Sequence, residues 1–318
     1  MRTTFVTTFL VLSSSSAAFA AGGNCPTAPL NYDAASCSAF CARNSSDNTQ
    51  FLCDITAQPG DNAVVVVKNY RPILIAGTQR YSAWGSANGA AFCCTTDSTA
   101  AAPVNSVKVL TGDGDDEIWF TAFHTNGSVR NLNSNTNQTV AGRFTGYAYP
   151  GEGDDYVQGS NSKASDYRDY LTGEDGRDTI HGNKGPDFIS VAQTRVPGVY
   201  SANNDGESVY GDNGRDEIEG ATNSITAADT IIVSGGAQND LLCTGPVSYL
   251  TGQRVIFLGG DGDDEIYSYS SFIAGNDGAI YGEAGSDGCD NPGGSPETTC
   301  ERPFTPSNFT AWSPLVCN

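Results

Sequence analysis

Eight aspartates of this chain stand at the same place in a repeated run: Asp116, Asp155, Asp178, Asp187, Asp216, Asp240, Asp264 and Asp287. The fullest copy is Leu258-Gly-Gly-Asp-Gly-Asp-Asp-Glu-Ile266, with two glycines, a third two positions on, aspartate at the sixth place and an aliphatic residue at the eighth. Glycine lets the backbone take φ > 0 and brings carbonyl oxygens close to an ion, while aspartate offers a hard carboxylate of the kind Ca²⁺ prefers. The copies share glycine, aspartate and an aliphatic residue at fixed offsets, failing once at the fourth position (Gln238) and once at the eighth (Cys289). Solvated turns with no ion are the alternative, because Gly-Asp turns are common.

Elements that could position such a row flank each copy. Val107 to Leu110, Tyr147 to Tyr149, Tyr170 to Leu171, Val209 to Tyr210, Ile231 to Val233, Val255 to Leu258 and Ala279 to Tyr281 read as short strands ahead of a turn. Strand, glycine-aspartate turn and strand make up one coil of an all-β, right-handed parallel β-solenoid whose alternate aliphatics fill a narrow core. Successive aspartates lie 39, 23, 9, 29, 24, 24 and 23 residues apart. The intervals near 24 predict one such turn per coil, all brought to a shared edge, with a longer irregular return. Residues 228–232 keep the D-x-U spacing of a degenerate second turn, and the stretches near 121–146 and 191–207 read as surface insertions.

The repeats resemble the RTX (repeats-in-toxin) calcium-binding β-roll, G-G-x-G-x-D-x-U-x, over about residues 107–290. In that family the 9-residue interval between Asp178 and Asp187 is the tandem spacing, and calcium lies between stacked turns. The resemblance implies that Asp116, Asp155, Asp178, Asp187, Asp216, Asp240, Asp264 and Asp287 are calcium ligands. Asp113, Asp175, Asn213 and Asp261, at the third position, are expected to assist. The chain departs from the family in its ten cysteines and its N-terminal signal. Both departures weigh against a toxin and its one-step export route. The serralysin-type proteases that share these repeats need H-E-x-x-H, which this sequence lacks.

Composition agrees with turn chemistry. There are 37 glycines, and the net charge of −20 comes from 26 Asp and only 10 Glu, so the acid favours turns over helix. A chain so negative repels nucleic acid and anionic lipid. Residues 1–20 read as a secretory signal, with Arg2, an apolar run and Ala18-Phe-Ala20 as the cleavage site. No later run is apolar enough to span a membrane, so a secreted or cell-surface location is expected. Ten cysteines, six early and four late, predict disulfides.

These boundaries give a signal at 1–20, a cysteine-rich N-terminal cap at 21–103, the solenoid at 104–292 and a disulfide-tethered tail at 293–318. Within the cap, residues 34–42 read as a turn or two of helix, and Asn62 to Lys68 and Pro72 to Ala76 as strands. A separate binding module is the alternative to a cap.

Catalytic signatures are sparse. His124 and His181 are the only histidines, no G-x-S-x-G elbow occurs, and only four lysines are available as a lyase base. Arg177 and Arg215, at the fifth position of their turns, offset carboxylate charge. The tyrosines read as strand-face packing, with a sugar-stacking platform as the alternative. The sequence therefore points to a non-catalytic, secreted calcium-binding solenoid with an adhesive or structural role toward extracellular polysaccharide or a cell-surface component. A calcium-dependent lyase or hydrolase acting on acidic polysaccharide is the second reading.

Overall fold

The computed structural model describes residues 51–57, 59–75, 78–87, 90–95, 104–122, 145–160, 168–191, 206–220, 230–244, 254–267 and 279–290, with short paired segments at 38–39, 41–43, 297–298 and 302–303 and the residue Cys300. The expected signal peptide, the turn at 228–229, most of the insertions, His124 and most of the tail lie outside the described residues. Among those described there are strands and no helix, and so no helix able to cross a membrane.

Alternation of apolar and polar residues puts successive side chains on opposite faces of a strand. Here the apolar faces of two 12-stranded sheets meet. From Ala63–Ile75 onward the first sheet adds Glu117–Ala122, Tyr156–Gln158, Thr179–His181, Ser208–Tyr210, Thr230–Ala237, Arg254–Asp261 and Ala279–Ala284 in order. From Phe51–Thr56 onward the second adds Val104–Asp113, Thr145–Glu152, Tyr170–Thr172, Phe188–Ser190, Glu217–Gly220, Leu241–Thr244, Glu265–Tyr267 and Gly288–Asp290. Every one of these pairings is parallel, so the chain passes from sheet to sheet by coiling.

Register aligns the eighth-position residues with aliphatics of the strands ahead of the turns into two core ladders. In the first sheet Val64, Ile118, Val157, Ile180, Val209, Val233, Phe257 and Ile280 stack in order, all fully buried. Facing them, Ile55, Val109, Ala148, Leu171, Ile189, Ile218, Leu242 and Ile266 stack in the second. Burying each branched side chain contributes roughly 1.5–3 kcal/mol, so the ladders supply the main cohesion between coils.

The N-terminal region differs from its expected form. Ser38–Ala39 and Cys41–Arg43 are strands rather than helical turns, with Cys41 in antiparallel register with Cys53. The two strands expected at 62–68 and 72–76 are one, Ala63–Ile75. Parallel coiling begins at Phe51–Thr56, about fifty residues before the boundary drawn at 104. After Ala63–Ile75 the chain makes an antiparallel excursion through Thr78–Ala87 and Ala90–Thr95 before rejoining the stack.

The turns do not share one edge. At the first edge the chain passes from second sheet to first through the turns ending at Asp116, Asp155 and Asp178. At the opposite edge it passes from first to second through those ending at Asp187, Asp216, Asp240, Asp264 and Asp287. The 9-residue interval marks the changeover: only the strand Thr179–His181 separates Asp178 from Asp187, so that coil has a full turn at each end. The single shared edge expected from the spacing is therefore two edges.

Candidate metal seams

Each turn is built from six residues whose constraints differ. The second residue takes φ > 0 in every copy, as glycine at Gly112, Gly151, Gly236 and Gly260, and as Glu174, Asn183, Asp212 and Glu283 elsewhere. The first residue takes no positive φ; it is Thr111 and Pro150 in the first two copies and glycine in the other six, where space is short. A β-carbon added to Gly235 would come 2.6 Å from Asp240 Oδ2 and 2.6 Å from the Gly259 carbonyl oxygen of the next coil. Gly182 meets Asp187 Oδ2 and the Gly211 carbonyl in the same way, and Gly259 meets Asp264 Oδ2 and the Gly282 carbonyl.

All eight sixth-position aspartates are buried. Along the first edge the N–H of Asn62 donates to Asp116 Oδ1 (2.7 Å), that of Asp116 to Asp155 Oδ1 (2.7 Å), and that of Asp155 to Asp178 Oδ1 (3.0 Å). Along the second edge the N–H of Asp169 donates to Asp187 Oδ1 (2.9 Å), and Asp187, Asp216 and Asp240 each donate to the next aspartate at 2.8 Å. Asp264 completes the row by donating to Asp287 Oδ1 at 2.9 Å. One carboxylate oxygen per coil is thereby committed to the backbone. The other, Oδ2, is buried without a hydrogen bond in Asp155, Asp178, Asp187, Asp216 and Asp240, beside the glycine cradle where that exists.

Three members of these rows escaped the sequence reading. Asn62 occupies the sixth position of Gly60-Asp-Asn62-Ala-Val64; its Nδ2 donates to Asp116 Oδ1 at 2.9 Å and to the Gly60 carbonyl. Asp169 heads the second row and accepts the N–H groups of Gly146 and Ser160, each at 2.6 Å. Glu207, fully buried one residue before Ser208–Tyr210, stands at the far end of the first. The shared signal is an acid or amide two residues before a buried aliphatic, without the full glycine pattern.

The third-position residues divide between the edges, Asp113 and Asp175 at the first, Asn213 and Asp261 at the second. Their carbonyls accept the N–H of Gly60, Gly153, Gly185 and Gln238 respectively, which ties each turn to its neighbour. The side chains of Asp113, Asn213 and Asp261 are exposed, and Asp175 is half-buried with a buried Oδ1 that makes no hydrogen bond. Fifth-position side chains form a reciprocal ladder: the N–H of Asp154 donates to Asp115 Oδ1 of the preceding coil at 3.0 Å, and that of Asp263 to Asn239 Oδ1 at 3.0 Å.

The electrostatics of the buried rows are unfavourable by themselves. Strands stack about 4.8 Å apart, where two carboxylates at an effective dielectric constant of about 20 repel by roughly 3–4 kcal/mol. A charge-assisted N–H bond returns only about 1.5–3 kcal/mol. Burial, then repulsion from Asp116 and Asp115, lifts Asp155 to about 8; burial and then Asp155 lift Asp178 to about 9. Asp187, Asp216 and Asp240 are raised well above the ordinary carboxylate range, first by burial, with Arg215 opposing the shift at Asp240. Such rows require protons or cations.

The donors fit Ca²⁺ by type: carboxylate and main-chain carbonyl oxygen, repeated once per coil. Among the described residues no three His, Cys, Asp or Glu side chains gather at one point. A cation in these seams would therefore draw part of its shell from carbonyls, as oxygen-rich calcium sites do.

The other candidate groups serve packing. His181 Nδ1 lies 3.1 Å from Asp212 Oδ2, and its ring stacks on Tyr210 at 4.7 Å and 14°. Tyr147 stacks on Tyr170 at 4.9 Å and 3°. In both pairs one face of each ring is turned to its partner on the neighbouring strand.

Compared with known proteins, the chain matches no family model, and neither the curated proteins nor the solved structures include a significant match to it.

Proposed function

We propose that this chain is a secreted, calcium-stabilised β-solenoid of right-handed winding and RTX-like turn chemistry, non-catalytic, serving as an adhesive or structural protein at the cell surface or in the extracellular matrix. The observation that carries this reading is the buried Oδ2 of successive sixth-position aspartates, left without a hydrogen bond beside inward-facing glycine carbonyls. Asp116, Asp155 and Asp178 hold calcium at the first edge, and Asp187, Asp216, Asp240, Asp264 and Asp287 at the second, assisted by Asp113, Asp175, Asn213 and Asp261. Bound Ca²⁺ supplies the positive charge that the rows lack.

Folding and binding are then one process. In the unfolded chain the carboxylates are scattered and repel; stacking the coils creates the donor sets, so calcium favours the folded state by mass action. Extracellular modules bind calcium at about 10⁻⁴ to 10⁻³ M. Free calcium at about ten times the Kd contributes about 1.4 kcal/mol per independent site. The cysteine-rich part ahead of the first coils acts as a cap, and an extracellular polysaccharide or cell-surface component is the partner.

Circular dichroism and thermal melting of the mature, oxidised protein test this reading. A chelator should lower the melting temperature and reduce the β signal, both restored by added calcium; curves unchanged by the chelator would overturn it.

A further inference from the structure

The two sheets differ on their outer faces. On the second sheet Phe188 is 7 %, Leu241 5 % and Glu265 0 % exposed, although all three alternate with core residues and so face outward. The first sheet is open. Two outward rows run in register along it, one from Trp119 through His181 and Tyr210 to Tyr281, the other from Glu117 through Tyr156 to Ala279. Apart from Gln158, every side chain in them is at least partly exposed, and Tyr281 reaches 37 %. Glu117, at one end, is the only carboxylate in either row, in a chain of net charge −20.

Aromatic rings stand on four consecutive strands of this face. Centroids of Trp119 and Tyr156 lie 4.7 Å apart, those of Tyr156 and His181 6.0 Å, and those of His181 and Tyr210 4.7 Å. Asp212 Oδ2, 3.1 Å from His181 Nδ1, and Gln158 Oε1, which accepts the Tyr156 O–H at 3.3 Å, hold rings in place. Beyond Tyr210 the row drops to Ser234 and rises again at Leu258 and Tyr281, so the Tyr210 ring face turned away from His181 overlooks a notch.

Size and charge select the occupant. Six strand steps of about 4.8 Å and three-residue strands make a strip of about 29 Å by about 10 Å, roughly 300 Å². A stable protein interface takes about 800 Å² per partner, so a second copy or another folded protein finds too little here. One extended polymer chain fits. An acidic polymer is repelled by the molecule as a whole, and a basic one is drawn to the acidic turns instead. Sugar rings meet what remains: their C–H faces pack on aromatic rings, while their hydroxyls bond to the serine, threonine and tyrosine hydroxyls between. In an extended β-linked chain a pyranose unit is close to one strand step in length, so successive sugars meet successive coils.

We propose, resting on the extracellular adhesive reading above, that the outer face of the first sheet from Trp119 to Tyr281 docks one uncharged β-linked polysaccharide chain along the solenoid axis. Rings already packed against one another lose little freedom when the polymer arrives, which lowers the cost of binding.

Co-sedimentation of the full, oxidised, calcium-loaded chain with cellulose and with chitin, and affinity electrophoresis through polygalacturonate, test the strip. Retention by at least one of the neutral polymers, and none by polygalacturonate, is expected. Trp119→Ala and Tyr210→Ala should each weaken retention several-fold, whereas Tyr210→Phe, which keeps the ring, should bind like the parent. Ser234→Glu leaves every ring in place, adds a charge to the notch and should also weaken retention several-fold. No retention on either neutral polymer by a chain with its β signal intact would overturn the proposal. So would equal retention of the alanine and glutamate variants, preference for polygalacturonate, or self-association that Trp119→Ala abolishes. A chain whose melting ignores the chelator, yet which binds through Trp119 and Tyr210, would contradict the calcium seams and leave the strip standing.

Discussion

The N–H of Asp155 donates to Oδ1 of Asp178, one coil farther along, at 3.0 Å, while Oδ2 of Asp178 is buried with no hydrogen bond. Asp178 thus has a structural oxygen and a spare one, as do Asp155, Asp187, Asp216 and Asp240, and substitutions can separate the two roles.

Asparagine keeps a carbonyl acceptor for the N–H and removes the charge. Asp216→Asn should therefore melt no lower than the parent in chelator at pH 8, and lower than the parent in calcium. Asp216→Ala and Asp264→Ala strand the N–H of Asp187 and Asp240, each costing about 1–3 kcal/mol in either condition, with a further loss in calcium. Thermal melts of the set with and without calcium check this. Equal deficits for alanine in both conditions would count against a ligand role.

Two glycines test the cradle. Gly112 has a φ of 94° and open space where a β-carbon would stand, so Gly112→Ala should cost about 1–2 kcal/mol of backbone strain and leave the calcium response intact. Gly235 has ordinary φ but a crowded β-carbon site between Asp240 Oδ2 and the Gly259 carbonyl. Gly235→Ala should cost about 1–3 kcal/mol by overpacking and weaken the calcium response as well. Urea midpoints at several calcium concentrations distinguish the two.

Without calcium the rows make stability depend on pH. Aspartates raised in the folded state, Asp155 to about 8 and Asp178 to about 9 from an unfolded value of 3.8, bind more protons folded than unfolded between those limits. Their contribution is full below about pH 4 and is lost as pH rises toward 8 to 9. The chelated protein should melt higher at pH 5 than at pH 8, and calcium should reverse or flatten that order. Melts at the two pH values in chelator would contradict this if the pH 8 sample were the more stable.

The second reading of the sequence, an enzyme on acidic polysaccharide, predicts new unsaturated ends or shortened chains from uronate polymers. The proposed non-catalytic role predicts neither product from the calcium-loaded protein.

Turns, strands and core residues were legible in the sequence because glycine, aspartate and aliphatic residues at fixed offsets each answer a separate constraint. Which edge a turn occupies was not. Strand, turn and strand read the same whether the chain leaves the first sheet or the second, and an interval near 24 returns it to the edge it left. Only the single strand between Asp178 and Asp187 carries the change of edge, and it leaves no mark beyond its length. Asn62, Asp169 and Glu207 were hidden for a different reason: a row needs a side-chain acceptor beneath each N–H, whereas the glycines answer the backbone of one turn type. The start of coiling at Phe51–Thr56 was masked by the excursion of Ala63–Ile75 into antiparallel pairing.

Calcium titration of the mature, oxidised protein by isothermal calorimetry bears most directly on the seams. The account predicts saturable binding of several ions per chain, with protons released on binding at pH 7 and the stoichiometry reduced in Asp216→Asn. Heats indistinguishable from dilution up to millimolar calcium would contradict it.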